Sequence, residues 1–165
     1  MSKEASPRPV FPGAEMYCNH MEDIMNIIEE LTNKKDTEAH KLLLELEKQS
    51  EESDRLYVYF DDFLTLLQSK SSFVRMRGFR LAFAQARWDS EDKLRQNADI
   101  LLRILDDEKP TAVRQCIMAL HNAVQYKPEL RSIISAKLDN MDTSKYKDSM
   151  RPLIEKDIEG LRKIL

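Results

Sequence analysis

The chain has 165 residues, of which 42% are apolar and 33% charged, and its formal net charge is −3. This balance is typical of a single soluble domain with a modest core and excludes a fully disordered chain. Because the net charge is small and negative, it provides no overall attraction to nucleic acid or to an anionic membrane. The three glycines are too few to favour glycine-rich loops that hold phosphate groups.

The cysteines and the apolar runs indicate the cellular compartment. Cys18 and Cys116 are the two cysteines and lie 98 positions apart, so neither a disulfide framework nor grouped metal ligands are visible. No run of about 18 apolar residues occurs, which argues against a membrane-spanning helix. The first residues also lack the pattern of a signal peptide. We therefore expect a cytoplasmic protein that binds no cofactor and no metal.

The first 18 residues, "MSKEASPRPVFPGAEMYC", contain three prolines and predict a flexible arm. From about residue 20 onward, apolar residues recur at the spacing of an amphipathic helix, and no segment alternates as a strand does. The spacing predicts eight helices in four antiparallel pairs, beginning near residues 20, 36, 56, 73, 90, 110, 128 and 149. We therefore predict an all-α fold with a single domain over residues 19–165, preceded by an arm over residues 1–18.

Several of these helices have recognisable start signals. Ser71 or Ser72 can cap the fourth helix, and Asp89 or Ser90 can cap the fifth. Pro110 stands at the beginning of the sixth, where its missing N–H would have had no partner within the helix. Prolines also open the last two helices. The segment "DDEKPTAVRQC" is therefore predicted to be a turn between two packed helices.

Three segments share one plan: residues 63–75, 101–114 and 137–151. Each consists of the apolar end of a helix, a polar turn, and an apolar residue followed by arginine. The three arginines are separated by 39 and then 37 residues. This spacing fits a two-helix repeat of roughly 40 residues, in which stacked neighbours bury the apolar faces that one pair leaves open.

The stretch "LLRILDDEKPTAVRQCIMALHNAV" resembles the HEAT-repeat family, because acids in its turn precede Val-Arg and a run of small and large apolar residues. The resemblance implies a right-handed α-α superhelix, with the turn acid and the arginine forming a ladder of ion pairs between successive units. By this resemblance the ladder arginines are Arg75, Arg114 and Arg151, and Asp106 or Asp107 is the acidic partner. The first turn, "QSKSS", has no acid, so the ladder would be incomplete there.

More narrowly, "DEKPTAVRQCIMAL", "YKPELR" and "YKDSMRPLIEKDI" are similar to segments of small bacterial HEAT-like repeat proteins, over about residues 20–165. Some members of that group carry a label that links them to iron–sulfur cluster assembly scaffolds (SufBD-like). Ligation of a cluster needs grouped thiolates, or thiolates with histidine. The two distant cysteines of this chain do not supply such a group.

Cys116 has two possible roles. It lies in the apolar stripe of the sixth predicted helix, which is typical of a buried structural thiol. A nucleophile would need a base or a cationic neighbour in a cleft. Arg114 could lower its pKa, but His121 lies about 140° away around the helix. We expect a structural thiol and keep a catalytic role as a weaker hypothesis.

The fourth predicted helix, "FVRMRGFRLAFAQAR", carries four arginines and no acid. Beyond the ladder arginine, these side chains either pair with acids of adjoining helices or form a basic ridge on the inner surface. In α-solenoids, the second helix of each pair generally lines the concave face where partners bind. Arginine and aromatic residues are frequent interface anchors. The candidate partner-binding residues are Arg77, Arg80, Phe83, Arg87, Asn122 and Tyr126.

The sequence leaves three functional hypotheses. The first is a non-enzymatic scaffold that binds a protein or peptide on its inner face. The second is nucleic-acid binding on the same ridge, by resemblance to HEAT-like glycosylases that act on alkylated bases. The third is catalysis by Cys116. The sequence contains no GxxxxGK[ST], GxGxxG, HExxH or GxSxG motif, which disfavours an enzyme.

Overall fold

The computed structural model describes residues 14–165, with side chains from residue 23 onward. Over these residues the chain is all-α and contains no strand, which confirms the predicted fold class. The α-helices are α1 (Ala14–Leu31), α2 (Asp36–Glu52), α3 (Phe60–Thr65), α4 (Ser72–Ala84), α5 (Lys93–Gln96), α6 (Ala98–Leu102), α7 (Pro110–Tyr126), α8 (Arg131–Asp139) and α9 (Arg151–Arg162). Short 3₁₀ segments cover Tyr57–Tyr59, Leu66–Gln68, Ala86–Trp88, Arg103–Asp106 and Pro128–Leu130.

Four of the helices form consecutive layers, because α2 packs on α4, α4 on α7, and α7 on α9. Hydrogen bonds join the α4 region to the α7 region at sequence separations of 35, 35 and 38 residues. Ser72 bonds to Asp107, Arg80 to Gln115, and Lys127 to the carbonyl of Asp89. Since the contacts follow each other in the same order along both segments, α4 and α7 run in the same direction. The right-handed superhelix stays a prediction.

Helix α4 lies at the centre of the core. Phe79 and Leu81 are fully buried in it, and Phe60 and Phe63 from α3 pack in the same cluster. Gly78 permits this approach, because a Cβ atom at that position would lie 2.7 Å from the Cβ of Leu66 and 2.7 Å from the carbonyl oxygen of Phe63. The side chain of Ser71 accepts a hydrogen bond from the backbone N–H of Val74, so Ser71 is the N-cap of α4.

The first helices of the middle pairs are less regular than predicted. The predicted third helix is divided into α3 and the two 3₁₀ segments that flank it. The predicted fifth helix is divided into α5, α6 and the 3₁₀ segment Arg103–Asp106. The side chain of Asn97 donates a hydrogen bond to the carbonyl of Lys93 at 2.8 Å, and its φ of −111° leaves the helical range. This local bond competes with helix continuation and separates α5 from α6. The nine α-helices of the described residues thus follow the eight predicted ones, with the fifth divided in two.

The boundary of the N-terminal arm also needs correction. The prediction placed residues 1–18 in the arm, but α1 begins at Ala14. The last proline before this point is Pro12, so the residues from Ala14 onward are free of the proline constraint and include good helix formers. The rest of the predicted arm lies outside the described residues. Among the described helices, none has the length and apolar character needed to cross a membrane.

Candidate functional site

A groove with a volume of about 840 Å³ lies where α2, α4, α7 and α9 meet. It is lined by four of the six predicted partner-binding residues: Arg80, Arg87, Asn122 and Tyr126. We call it the inner groove. A second groove of about 650 Å³ lies between α6 and α8 and contains none of the predicted residues.

The floor of the inner groove is one face of α7. This face contributes Arg114, Ala119 and six larger uncharged side chains, which we call the α7 stripe: Thr111, Gln115, Met118, Asn122, Gln125 and Tyr126. Because each of them lies three or four residues from another member, they share one side of the helix, opposite the core residues of α7. Met118 is 60% exposed and Tyr126 is 40% exposed. The six residues of the stripe carry no formal charge, and the charge of Arg114 on the same face is paired with Asp157.

Two arginines on the groove walls are neutralised by carboxylates. Arg80 of α4 donates to both carboxylate oxygens of Glu47 on α2, at 2.7 and 2.6 Å, and to the side-chain oxygen of Gln115 at 2.7 Å. Arg114 donates to both oxygens of Asp157 on α9, at 2.6 and 3.3 Å. Such two-point pairs fix both partners and cancel their charges. The structure thus places Arg80 on the groove wall, paired with an acid of an adjoining helix.

Arg87 differs from these two arginines. It is exposed, its guanidinium lies 4.9 Å from the centre of the Trp88 ring, and it has no carboxylate partner among the described side chains. The indole N–H of Trp88 donates to the carbonyl of Ser50 at 2.6 Å, which holds the ring against α2. Glu51 also lines the groove and has no cationic partner within the described part of the chain. Arg87 and Glu51 are therefore the unpaired charges of this groove.

Two predicted partner-binding residues are wrong, because they lie in the interior. Arg77 is 2% exposed and donates to the carbonyl of Leu31 at 2.9 Å and to Asp36 at 2.6 Å. Phe83 is 2% exposed, and its ring centre lies 4.5 Å from that of Phe79. The junction between α1 and α2 covers Arg77, and this cover could not be seen from the pattern of α4 alone.

The predicted ladder residues make several kinds of contact. The guanidinium of Arg75 donates to Asp107 at 2.5 Å, and the hydroxyl of Ser72 donates to the same carboxylate at 2.6 Å. Burial alone would raise the pKa of Asp107, but hydrogen bonds from Ser72, the Lys109 backbone and Arg75 outweigh it and lower the pKa below its usual value. Asp107 therefore stays ionised and joins two layers.

The remaining ladder residues do not repeat this contact. Asp106 pairs with Lys137. Arg151 pairs with Asp148, three residues earlier, at 3.3 Å. Arg114 bonds to a carboxylate in the middle of α9 rather than in a turn, as described above. The described residues thus contain one contact of the expected kind between an arginine and a turn acid in successive layers, that of Arg75 with Asp107.

Cys116 is fully buried and belongs to the core face of α7. Burial raises the pKa of its thiol well above the usual value, and the nearby charge of Arg80 opposes this shift only partly. A neutral thiol without access to solvent does not fit a nucleophile and fits a packing role. The side chain of Cys18, the other cysteine, lies outside the described residues.

Sequence reasoning missed four of the six residues of the α7 stripe, namely Thr111, Gln115, Met118 and Gln125, and predicted the other two, Asn122 and Tyr126. The signal was present in the sequence, because uncharged residues recur every three or four positions along this helix.

Comparison with family models, curated proteins and solved structures found no match for this chain.

Proposed function

We propose that this protein is a cytoplasmic, non-enzymatic module that binds an extended polypeptide in the inner groove. The observation that carries the proposal is the α7 stripe, a row of uncharged side chains of which most are exposed and most can form hydrogen bonds. A HEAT-like arrangement, as the sequence resemblance implies, would place this row on the inner surface where solenoids bind their partners.

The chemistry of the stripe suits a polypeptide main chain. Each residue of a peptide offers one N–H donor and one carbonyl acceptor without a net charge. The amides of Asn122 and Gln125 and the hydroxyl of Thr111 can both donate and accept. Met118 is flexible and adapts to different apolar side chains, while Tyr126 is of a type that often anchors interfaces.

The size of the stripe agrees with an extended occupant. Thr111 and Tyr126 are the first and last residues of the stripe, and fifteen steps of about 1.5 Å give a length of roughly 22 Å. A strand rises about 3.3 Å per residue, so about six or seven residues of an extended peptide would cover this length. The groove volume of about 840 Å³ lies within the range of volumes found for ligand-binding clefts.

The alternative, nucleic-acid binding on a basic ridge, has less support. Arg80 and Arg114 face the groove, but Glu47 and Asp157 cancel their charges. The unpaired Arg87 is matched by the unpaired Glu51, so the lining has no excess of positive charge. Neutralisation of phosphates by cations dominates protein–nucleic acid affinity, and this surface supplies almost none of it.

Site-specific photocrosslinking tests the proposal and separates the two ligand classes. A photoreactive benzoyl-phenylalanine replaces Met118 in the groove or, as a matched control, Val58, which is 69% exposed and lies outside the groove. Irradiation in native lysate should give adducts from position 118 that protease removes and nuclease leaves intact. Adducts removed by nuclease would favour nucleic acid, and equal adducts from both positions would refute the groove as a binding site.

A charge substitution provides the second test. Met118→Glu adds a carboxylate to the floor of the groove and should reduce capture of the crosslinked polypeptide at least tenfold. The bound polypeptide would bury this charge without a partner. Val58→Glu adds the same charge at an exposed apolar position outside the groove and should leave capture unchanged. Helical circular dichroism of both variants should match that of the wild type.

A further inference from the structure

We propose that the polypeptide bound in the inner groove carries an aspartate or glutamate side chain that pairs with Arg87. This inference rests on the proposed function and specifies the occupant's chemistry. Arg87 is the cation of the groove that has no carboxylate partner among the described side chains, and no ion pair joins it to Glu51, the unpaired acid of the same lining. Arg80 and Arg114 are each held by a two-point pair. An acidic side chain would give Arg87 the partner that the other two already have.

Arg87 is positioned before any ligand binds. Its guanidinium lies over the Trp88 ring, and that ring is fixed by the hydrogen bond from its N–H to the carbonyl of Ser50. Ser50 is itself buried and accepts a hydrogen bond from the side chain of Gln85 at 2.8 Å. None of the N–H groups of Arg87 donates to a group within the described residues, so the whole fork is available to a carboxylate. A fixed guanidinium loses little conformational entropy on binding.

The position of Arg87 favours a side chain over a chain terminus as the source of the carboxylate. Arg80 contacts Gln115 and the carbonyl of Asp89 contacts Lys127, so Arg87 lies between these two contacts, level with the part of α7 from Asn122 to Gln125. Asn122 stands within the α7 stripe, with Gln125 and Tyr126 beyond it. A peptide that follows the whole stripe therefore passes Arg87 before its path ends, where it presents a side chain.

Selection from a peptide library tests this pairing. The probe is a library of random twelve-residue peptides displayed as amino-terminal fusions on phage, which therefore present no free carboxyl terminus, and the bait is the full immobilised chain. Enriched peptides should share one Asp or Glu at a fixed position. Replacement of that residue by Asn or Gln should weaken binding about fivefold, the size expected for a partly exposed charge pair.

Reversal of the charge gives the sharpest outcome. Arg87→Glu should weaken the selected peptide at least tenfold, and a peptide with Lys at the acidic position should bind Arg87→Glu better than it binds the wild type. Arg103→Glu is the matched control, because Arg103 is exposed, lines the second groove and changes the net charge equally. This control should bind the selected peptide as the wild type does.

The outcomes separate this inference from the proposed function. Enriched peptides without a shared acidic position, or with equal affinity for the wild type and Arg87→Glu, would overturn the Arg87 pairing and leave peptide binding intact. A lack of enrichment over Met118→Glu would overturn peptide binding in the groove and the pairing with it. Because Arg87 is exposed, Arg87→Glu should keep the circular dichroism spectrum and the Tm of the wild type.

Discussion

Helices α4 and α7 occupy equivalent places in successive layers, yet they differ in what they offer to a partner. In sequence α4 is the richer candidate, with arginines and phenylalanines and no acid, but Arg77 and Phe83 are 2% exposed. Helix α7 is less conspicuous, yet one of its faces stays open along its length. Arg77 is covered by the α1–α2 junction, and Phe83 packs against Phe79 in the core. The composition of a helix therefore does not decide which of its residues can bind a partner; its neighbours do.

The largest expected effect is a difference in stability between a truncation in α4 and a truncation in α7. Phe83→Ala should lower the free energy of unfolding by about 4 kcal/mol, because it removes a buried ring from the centre of the core. Met118→Ala, at an exposed position of α7, should change it by less than about 0.5 kcal/mol. Urea denaturation measures both values. Equal losses at the two positions would show that α7 is as enclosed as α4.

The arginines provide the second comparison. Arg77→Ala should lower the free energy of unfolding by about 3 kcal/mol, since the buried carbonyl of Leu31 would lose its donor and a large side chain would leave a cavity. The carboxylate of Asp36 is 61% exposed and would be solvated, which limits the loss.

Arg87→Ala is the matched control for this pair, because Arg87 is exposed and its described contact is with the Trp88 ring. It should cost less than about 0.5 kcal/mol in urea denaturation and should weaken peptide binding. If Arg77→Ala were as stable as the wild type but no longer bound peptide, Arg77 would belong to the binding surface after all.

These comparisons also indicate how far the sequence could predict the molecule. The all-α class followed from helical periodicity, and the N-cap of α4 followed from a serine at its start, because both depend on residues that are neighbours in the chain. The division of the fifth predicted helix depends on one side-chain hydrogen bond of Asn97, which periodicity does not register.

The candidate site was predictable in part for the same reason. Asn122 and Tyr126 lie on the open face of α7, whose spacing is visible in the sequence. The burial of Arg77 depends on Leu31 and Asp36, 46 and 41 positions away, and no local pattern specifies that contact. The pairing of Arg80 with Glu47 is likewise a contact between layers. It follows that Arg87 could be recognised as the unpaired cation only from the structure.

The third prediction concerns Asp107, which joins the layers of α4 and α7. Asp107→Asn should lower the free energy of unfolding by about 2 kcal/mol at pH 7, because charged hydrogen bonds from Ser72 and Arg75 weaken. Since the folded-state pKa of Asp107 is lowered, its contribution is complete above the unfolded value of about 3.9 and is lost as pH falls through the folded value.

Urea denaturation at several pH values checks this sign. The difference between wild type and Asp107→Asn should be constant between about pH 5 and 8 and should shrink below about pH 4. Asp106→Asn is the control, because Asp106 is a half-exposed acid of the same turn, paired with Lys137. It should cost less than about 0.5 kcal/mol. A difference for Asp107→Asn that persists unchanged to pH 3 would contradict the lowered pKa.

The smallest expected effect extends the comparison of enclosed and open helices to glycine. Gly78→Ala places a Cβ atom 2.7 Å from the backbone oxygen of Phe63, which cannot move without displacing α3. The overpacking should exceed the gain in helix propensity and lower the free energy of unfolding by about 1 kcal/mol. At Gly160 of α9 the added atom would meet nothing within 4 Å, so Gly160→Ala should raise it by about 0.5 to 1 kcal/mol. Opposite signs of the two changes in unfolding free energy would show that α3 encloses α4 at Gly78 and that α9 is open at Gly160. If both variants were stabilised, α3 would have to be able to move away from α4.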